Sequence, residues 1–199
     1  MRATLPLPAI GLPAARATLA AGGVLAFATE SSYGLGVDPR SAAGVEALYR
    51  LKGRERGKAL PVIAADLAQI EALGVAAEAP ALLWAKARWP AALTVVLPIV
   101  RPLPASAGGA TIAVRVPARE TLRGLLLALG TALTATSANP SGGEPISDPT
   151  ALADWLSRSG ERFHLIDEGV APGGDPSTLV ELAGGAPKVL RQGSYRVEG

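Results

Sequence analysis

Short apolar runs, none long enough to form a core alone, alternate along this chain with segments of helical spacing, and that alternation constrains the fold more than any other feature. Residues 24–28 (Val-Leu-Ala-Phe-Ala), 60–64 (Leu-Pro-Val-Ile-Ala) and 93–97 (Leu-Thr-Val-Val-Leu) each have the length of a buried strand. Further strands are expected at 111–116, 132–136, 163–167, 177–182 and 188–191. The Ala-rich segment 13–21 favours helix, and Val45, Leu48 and Tyr49 share one helical face behind a capping Ser41. Asp66 suits another N-cap, and Leu82, Ala85 and Trp89 repeat the helical spacing until Pro90 stops it. Helix and strand in alternation argue for α/β layers around a buried, partly parallel sheet. Strands crowd residues 163–191 with no full helix between them, so antiparallel pairs are expected there. The Pro- and Gly-rich stretch 101–109 reads as a surface loop.

A chain of 199 residues can bury its own core, and a single domain spanning 1–199 is expected. It has no Cys and one His, His164, which excludes thiol nucleophiles, disulfide scaffolds and Cys-based metal sites; no resident metal is expected. His164 lies in a strand-like run and reads as structural, and Trp84, Trp89 and Trp155 sit on Ala- and Leu-rich helical segments where packing explains them. Met1–Pro6 lacks the character of a secretory signal, and the apolar runs fall short of the roughly 20 residues that span a membrane. A soluble, cytoplasmic protein without membrane contact is expected.

The formal net charge is only +2, but Arg50, Lys52, Arg54, Arg56 and Lys58 stand close together against one acid, Glu55. Gly53 and Gly57 let that segment wrap an anion such as a triphosphate; a solvated surface charge run is the other reading. It is not a P-loop, because three residues rather than four separate the glycines and Ala59 follows the lysine. Gly34-Leu35-Gly36 lacks the third glycine of a dinucleotide fingerprint. Thr29, Glu30, Ser31, Ser32 and Tyr33 gather at a strand's end, where α/β sheets place ligands, although a turn satisfying its own hydroxyls accounts for them equally well. Thr136–Gly142 supplies small side chains and free N–H groups, and Ser147 or Asp148 starts a helix as ligand or cap. Arg115, on an otherwise apolar strand, needs a carboxylate, either an internal one or that of a bound amino acid.

Seven ordered segments, Ala28–Leu35, Lys52–Arg54, Trp89–Thr94, Ala113–Pro117, Ser137–Gly142, Pro176–Thr178 and Leu190–Gly193, together resemble the YrdC-type family of threonylcarbamoyl-AMP synthases, in its short single-domain form. Ala28, Ser31, Ala91 and Pro176 depart from the family pattern, and Ile63 stands where many relatives carry His. The resemblance implies a twisted mixed β-sheet with flanking helices and a concave, positively charged face. On that face Ser31, Arg115, Ser137 and Ser177 would meet L-threonine, and Lys52, Arg54, Lys58, Thr111, Asn139, Ser147 and Arg191 would meet ATP, with Lys52 and Arg54 catalytic. The implied reaction joins threonine, bicarbonate or CO2, and ATP with Mg2+ into threonylcarbamoyl-AMP, used in the threonylcarbamoyladenosine modification of tRNA. tRNA and downstream threonylcarbamoyl-transfer proteins are the implied partners. The alternative is a non-catalytic module binding tRNA or rRNA through the same basic face. A carbamoyl-transfer role like that of the related domain in hydrogenase-maturation proteins is disfavoured, since those longer chains carry zinc-binding cysteines.

Overall fold

The structure is a computed structural model that describes residues 11–197; Met1–Pro6, read above for export, lies outside the described residues. In chain order the elements are α1 (Leu12–Ala20), β1 (Val24–Ala28), β2 (Tyr33–Gly36), α2 (Ala42–Lys52), β3 (Val62–Ile63), α3 (Leu67–Glu71), α4 (Pro80–Lys86) and β4 (Leu93–Pro98). They continue with β5 (Thr111–Arg115), α5 (Glu120–Leu129), β6 (Leu133–Thr134), β7 (Thr136–Ser137), α6 (Pro149–Ser157), β8 (Phe163–Leu165), β9 (Thr178–Ala183) and β10 (Ala186–Arg191).

The strands form two mixed sheets, ordered β7-β2-β1-β8 and β10-β9-β4-β5-β3-β6, rather than one. The expected strand 132–136 is the reason. It pairs with β3 through Leu133 and Thr134, then Ala135 turns its amide to the Pro61 carbonyl, and Thr136 and Ser137 pair with β2. One short segment thus belongs to both sheets and stitches them together. β9 and β10 are antiparallel, as their crowding in the sequence suggested, whereas β8 leaves them to lie parallel to β1.

Every residue of β1 is buried, and alternation sorts its side chains: Val24, Ala26 and Ala28 enter one core cluster, Leu25 and Phe27 the other. Trp84, Trp89 and Trp155 pack against the larger cluster. The caps expected of Ser41 and Asp66 are present, accepting from the amides of Gly44 and Gln69. The surface-loop reading of 101–109 is corrected in part. Ala105 and Ser106 are buried because the Ala105 carbonyl accepts from Leu60, its amide donates to Pro39, and the Ser106 hydroxyl donates within the turn. Among the described residues no helix is long and apolar enough to cross a membrane.

Candidate functional site

A cavity of about 840 Å³ opens where the two sheets meet, a volume in the range of small-molecule sites. Its wall draws on the turn after β1, on β2, β3, β4 and β5, on the segment joining β6 to β7, on the stretch before α6, and on β9 and β10. Leu60, Val62, Ile63, Ala113, Ala135 and Leu179 give it an apolar part. The charged side chains of the wall are Arg54, Arg115 and Arg191, with no Asp or Glu among its lining residues. Three guanidiniums facing one hollow without a carboxylate on its surface create a site for anions.

Each arginine is held differently. Arg115, at the end of β5, has an internal carboxylate: its Nη1 donates to Glu30 Oε2 at 2.9 Å, and Glu30 Oε1 accepts from the Ala118 amide at 2.9 Å. That resolves the choice the sequence left open, and the remaining donors of the guanidinium are free to serve a second anion. Arg191 Nη2 donates to the Ser177 carbonyl at 2.9 Å; partial burial first, then the nearby Arg115 charge, lowers its pKa, a tension a bound anion would relieve. Arg54 Nη2 donates to the Ala59 carbonyl at 3.1 Å, while its buried Nε has no partner among the described residues.

Ser31, Ser137, Ser147 and Ser177 all line the cavity with these arginines. Asp148, not Ser147, caps α6 by accepting from Ala151, which leaves Ser147 to the wall. Four other expected contacts are not brought there. Lys52 is 4% exposed at the end of α2, and its Nζ donates to the carbonyls of Ser137 and Asn139 and, at 3.4 Å, to Asn139 Oδ1. Asn139 is buried too, its Nδ2 donating to the carbonyls of Pro140 and Gly143, so this pair shapes the Ser137 segment from behind. Thr111 has the right face of β5 but lies at the opposite end from Arg115, exposed and outside the lining. Lys58 is exposed and paired with Glu55 at 2.9 Å.

The basic run is therefore not one patch. Arg50 is turned to Glu161, Arg56 to Glu46, and of the five cations Arg54 alone enters the cavity wall. Sequence reasoning assigned no role to Thr94, to the Glu30 partner of Arg115, or to Gly173 and Gly174, which line the cavity from the strap between β8 and β9. A threonine within an aliphatic strand was the available signal for Thr94. Nothing local marked the strap, whose place depends on the Gly173 amide donating to the Ser31 carbonyl at 2.7 Å.

A family model named for Sua5, YciO and YrdC, with the description telomere recombination, matches residues 17–193, nearly all of the described chain and every cavity-lining residue. The chain belongs to this family. Among similar relatives, a protein of Thiobacillus denitrificans named threonylcarbamoyl-AMP synthase is 39% identical over 90% of this chain and 94% of its own length. A protein of the same name from Chromobacterium violaceum is 36% identical over 89% and 90%. Among solved structures, P. abyssi Sua5 complexed with L-threonine superposes with a TM-score of 0.80 at 31% identity, over 92% of this chain and 54% of that one; this chain spans about half the length of that Sua5. E. coli YciO gives 0.74 at 26% identity over 92% and 88%.

Proposed function

We infer that this chain is a threonylcarbamoyl-AMP synthase, joining L-threonine, bicarbonate or CO2, and ATP with release of pyrophosphate. The observation that carries the reading is the cavity: three arginines, no carboxylate, and a ring of serines, in a chain alike over nine-tenths of its length to synthases of that name. The amine of threonine takes up CO2, a carbamate oxygen attacks the α-phosphorus, the α–β phosphoanhydride bond breaks, and pyrophosphate carries away the charge. Both nucleophile and leaving group come from substrate, so a chain with no Cys needs only to align reactants and stabilise charge.

In this reading Arg115, Ser31, Ser137 and Ser177 bind threonine, the guanidinium meeting its carboxylate. Arg54, Arg191 and Ser147 bind the phosphates, and the positive wall offsets the negative charge moving onto pyrophosphate. Lys52 and Asn139 act by holding the Ser137 segment. Mg2+ belongs to the nucleotide substrate, because a wall without carboxylates leaves phosphate oxygens and water to hold it. The apolar part of the wall limits water around the carbamate and the mixed anhydride. The product is labile, so the reading includes a threonylcarbamoyl-transfer protein that passes the group to tRNA, and a cytoplasmic setting.

An RNA-binding module without catalysis loses its warrant where Arg50, Arg56 and Lys58 are ion-paired with their own glutamates. The test is pyrophosphate release from ATP with threonine and bicarbonate omitted in turn. Release that requires both is expected; tight RNA binding with no turnover would overturn the synthase reading.

A further inference from the structure

Thr94 interrupts β4 between Leu93 and Val95, both fully buried, and is itself 4% exposed, yet it reaches the cavity wall. Its Oγ1 lies 2.8 Å from the Ser177 hydroxyl, the one partner it has among the described residues. Ser177 in turn holds Arg191, whose Nη2 donates to the Ser177 carbonyl at 2.9 Å and reaches its hydroxyl at 3.4 Å. The backbone around Ser177 is fixed by other means. The Thr178 amide donates to the Ala92 carbonyl, the Ser194 amide donates to Pro176, and Gly193 packs so closely that a Cβ there would overlap the Pro176 carbonyl. With the backbone held, the freedom left to Ser177 is rotation of its hydroxyl among three staggered wells. Valine would fill the space of Thr94 without burying a polar group, so the hydroxyl's contribution at this position is its bond to Ser177.

We propose that Thr94 is a positioning residue: it locks the Ser177 hydroxyl in one rotamer on the cavity wall and, through that hydroxyl's 3.4 Å contact with Arg191 Nη2, biases the orientation of the Arg191 guanidinium beside Arg115. The names of the ligands rest on the synthase reading; the geometry does not. Thr94→Val keeps the volume and removes the hydroxyl, while Thr94→Ser keeps the hydroxyl and removes the methyl. The loss of one hydrogen bond predicts, for Thr94→Val, a roughly five- to tenfold rise in KM for threonine and a smaller, roughly twofold weakening of inorganic tripolyphosphate binding, with kcat changed much less. Thr94→Ser restores both, and adding Thr94→Val to Ser177→Ala causes no further rise in KM for threonine, since the two act as one unit. Unchanged KM and unchanged tripolyphosphate affinity in Thr94→Val would overturn the proposal, as would a Thr94→Ser variant impaired to the same degree, which marks a packing role. Should the wild-type protein bind tripolyphosphate in a Thr94-dependent way but release no pyrophosphate with threonine, the synthase reading fails and the positioning role stands.

Discussion

Arg54 donates from Nη2 to the Ala59 carbonyl, yet its Nε is buried without a partner among the described residues, an arrangement that costs free energy until an anion supplies the missing acceptor. Arg54→Ala therefore removes a charge-assisted contact that matters most as pyrophosphate forms. Pyrophosphate-release kinetics should show turnover lowered by about 10²- to 10³-fold, with the thermal midpoint moved by no more than about 2 °C. Lys52 presents a different case, because its ammonium serves the protein's own oxygens. Burial, with the Arg54 charge adding to it, lowers its pKa to about 8 from an ordinary 10.5. Between those values the unfolded chain retains a proton the folded chain has lost, so this group's contribution to stability rises with pH across that window. Urea unfolding at pH 7.5 and 9.5 should show the wild type gaining about 1–2 kcal/mol relative to Lys52→Met. Activity should run the other way, falling as pH passes about 8, because a neutral amine has fewer hydrogens than the three oxygens around it. Parallel responses of activity and stability would contradict this.

The strap between β8 and β9 lines the cavity with Gly173, Gly174 and Pro176. The Tyr33 hydroxyl, at the start of β2, donates to the Gly169 carbonyl at 2.8 Å and accepts from the Glu168 amide at 3.2 Å. Tyr33→Phe leaves both strap groups without that partner, and urea denaturation should register a loss of about 1–2 kcal/mol. KM for threonine should rise, since Ser31 is tied to the same strap through Gly173; an unchanged KM would separate strap and site. Elements with caps and clean periodicity were legible in the sequence: β1, α2 with its Ser41 cap, β4 and β9. α5 went unread although Leu122, Leu125, Leu126 and Leu129 have helical spacing. Its Arg119 cap position makes no side-chain capping bond, and Gly124 sits in its interior. β2 has no strand reading in the sequence, and tertiary packing explains one of its two glycines: a Cβ on Gly36 would lie 2.5 Å from the Thr134 carbonyl. That close approach belongs to the junction of the sheets and leaves no local trace. The site residues named from the sequence that line the cavity, such as Ser31, Arg54, Arg115, Ser137 and Arg191, project from element ends, whereas Lys52 and Asn139 turn inward to the protein's own oxygens, a difference that no local pattern marks.

At the scale of the molecule, the arginines of the cavity wall and several of those outside it differ in their partners. Arg40, Arg50, Arg56 and Arg119 each face a carboxylate outside the wall, whereas of the three wall arginines Arg115 alone has one, Glu30, among the described residues, and Arg54 and Arg191 donate to carbonyls. The wall takes residues from Thr29 through Arg191 and from both sheets, which meet along β6 and β7. A ligand filling that hollow binds a surface that exists only when both sheets are assembled, so its binding energy should stabilise the whole fold as one unit. At about 100-fold excess over its dissociation constant, a ligand specific for the folded state adds about 2.7 kcal/mol, equivalent to a rise of about 5–10 °C in a domain of this size. Calorimetry with ATP and threonine should accordingly show a single transition displaced upward. A scan that splits into two transitions, of which only one responds to ligand, would mean that the sheets unfold separately and that the cavity belongs to one of them.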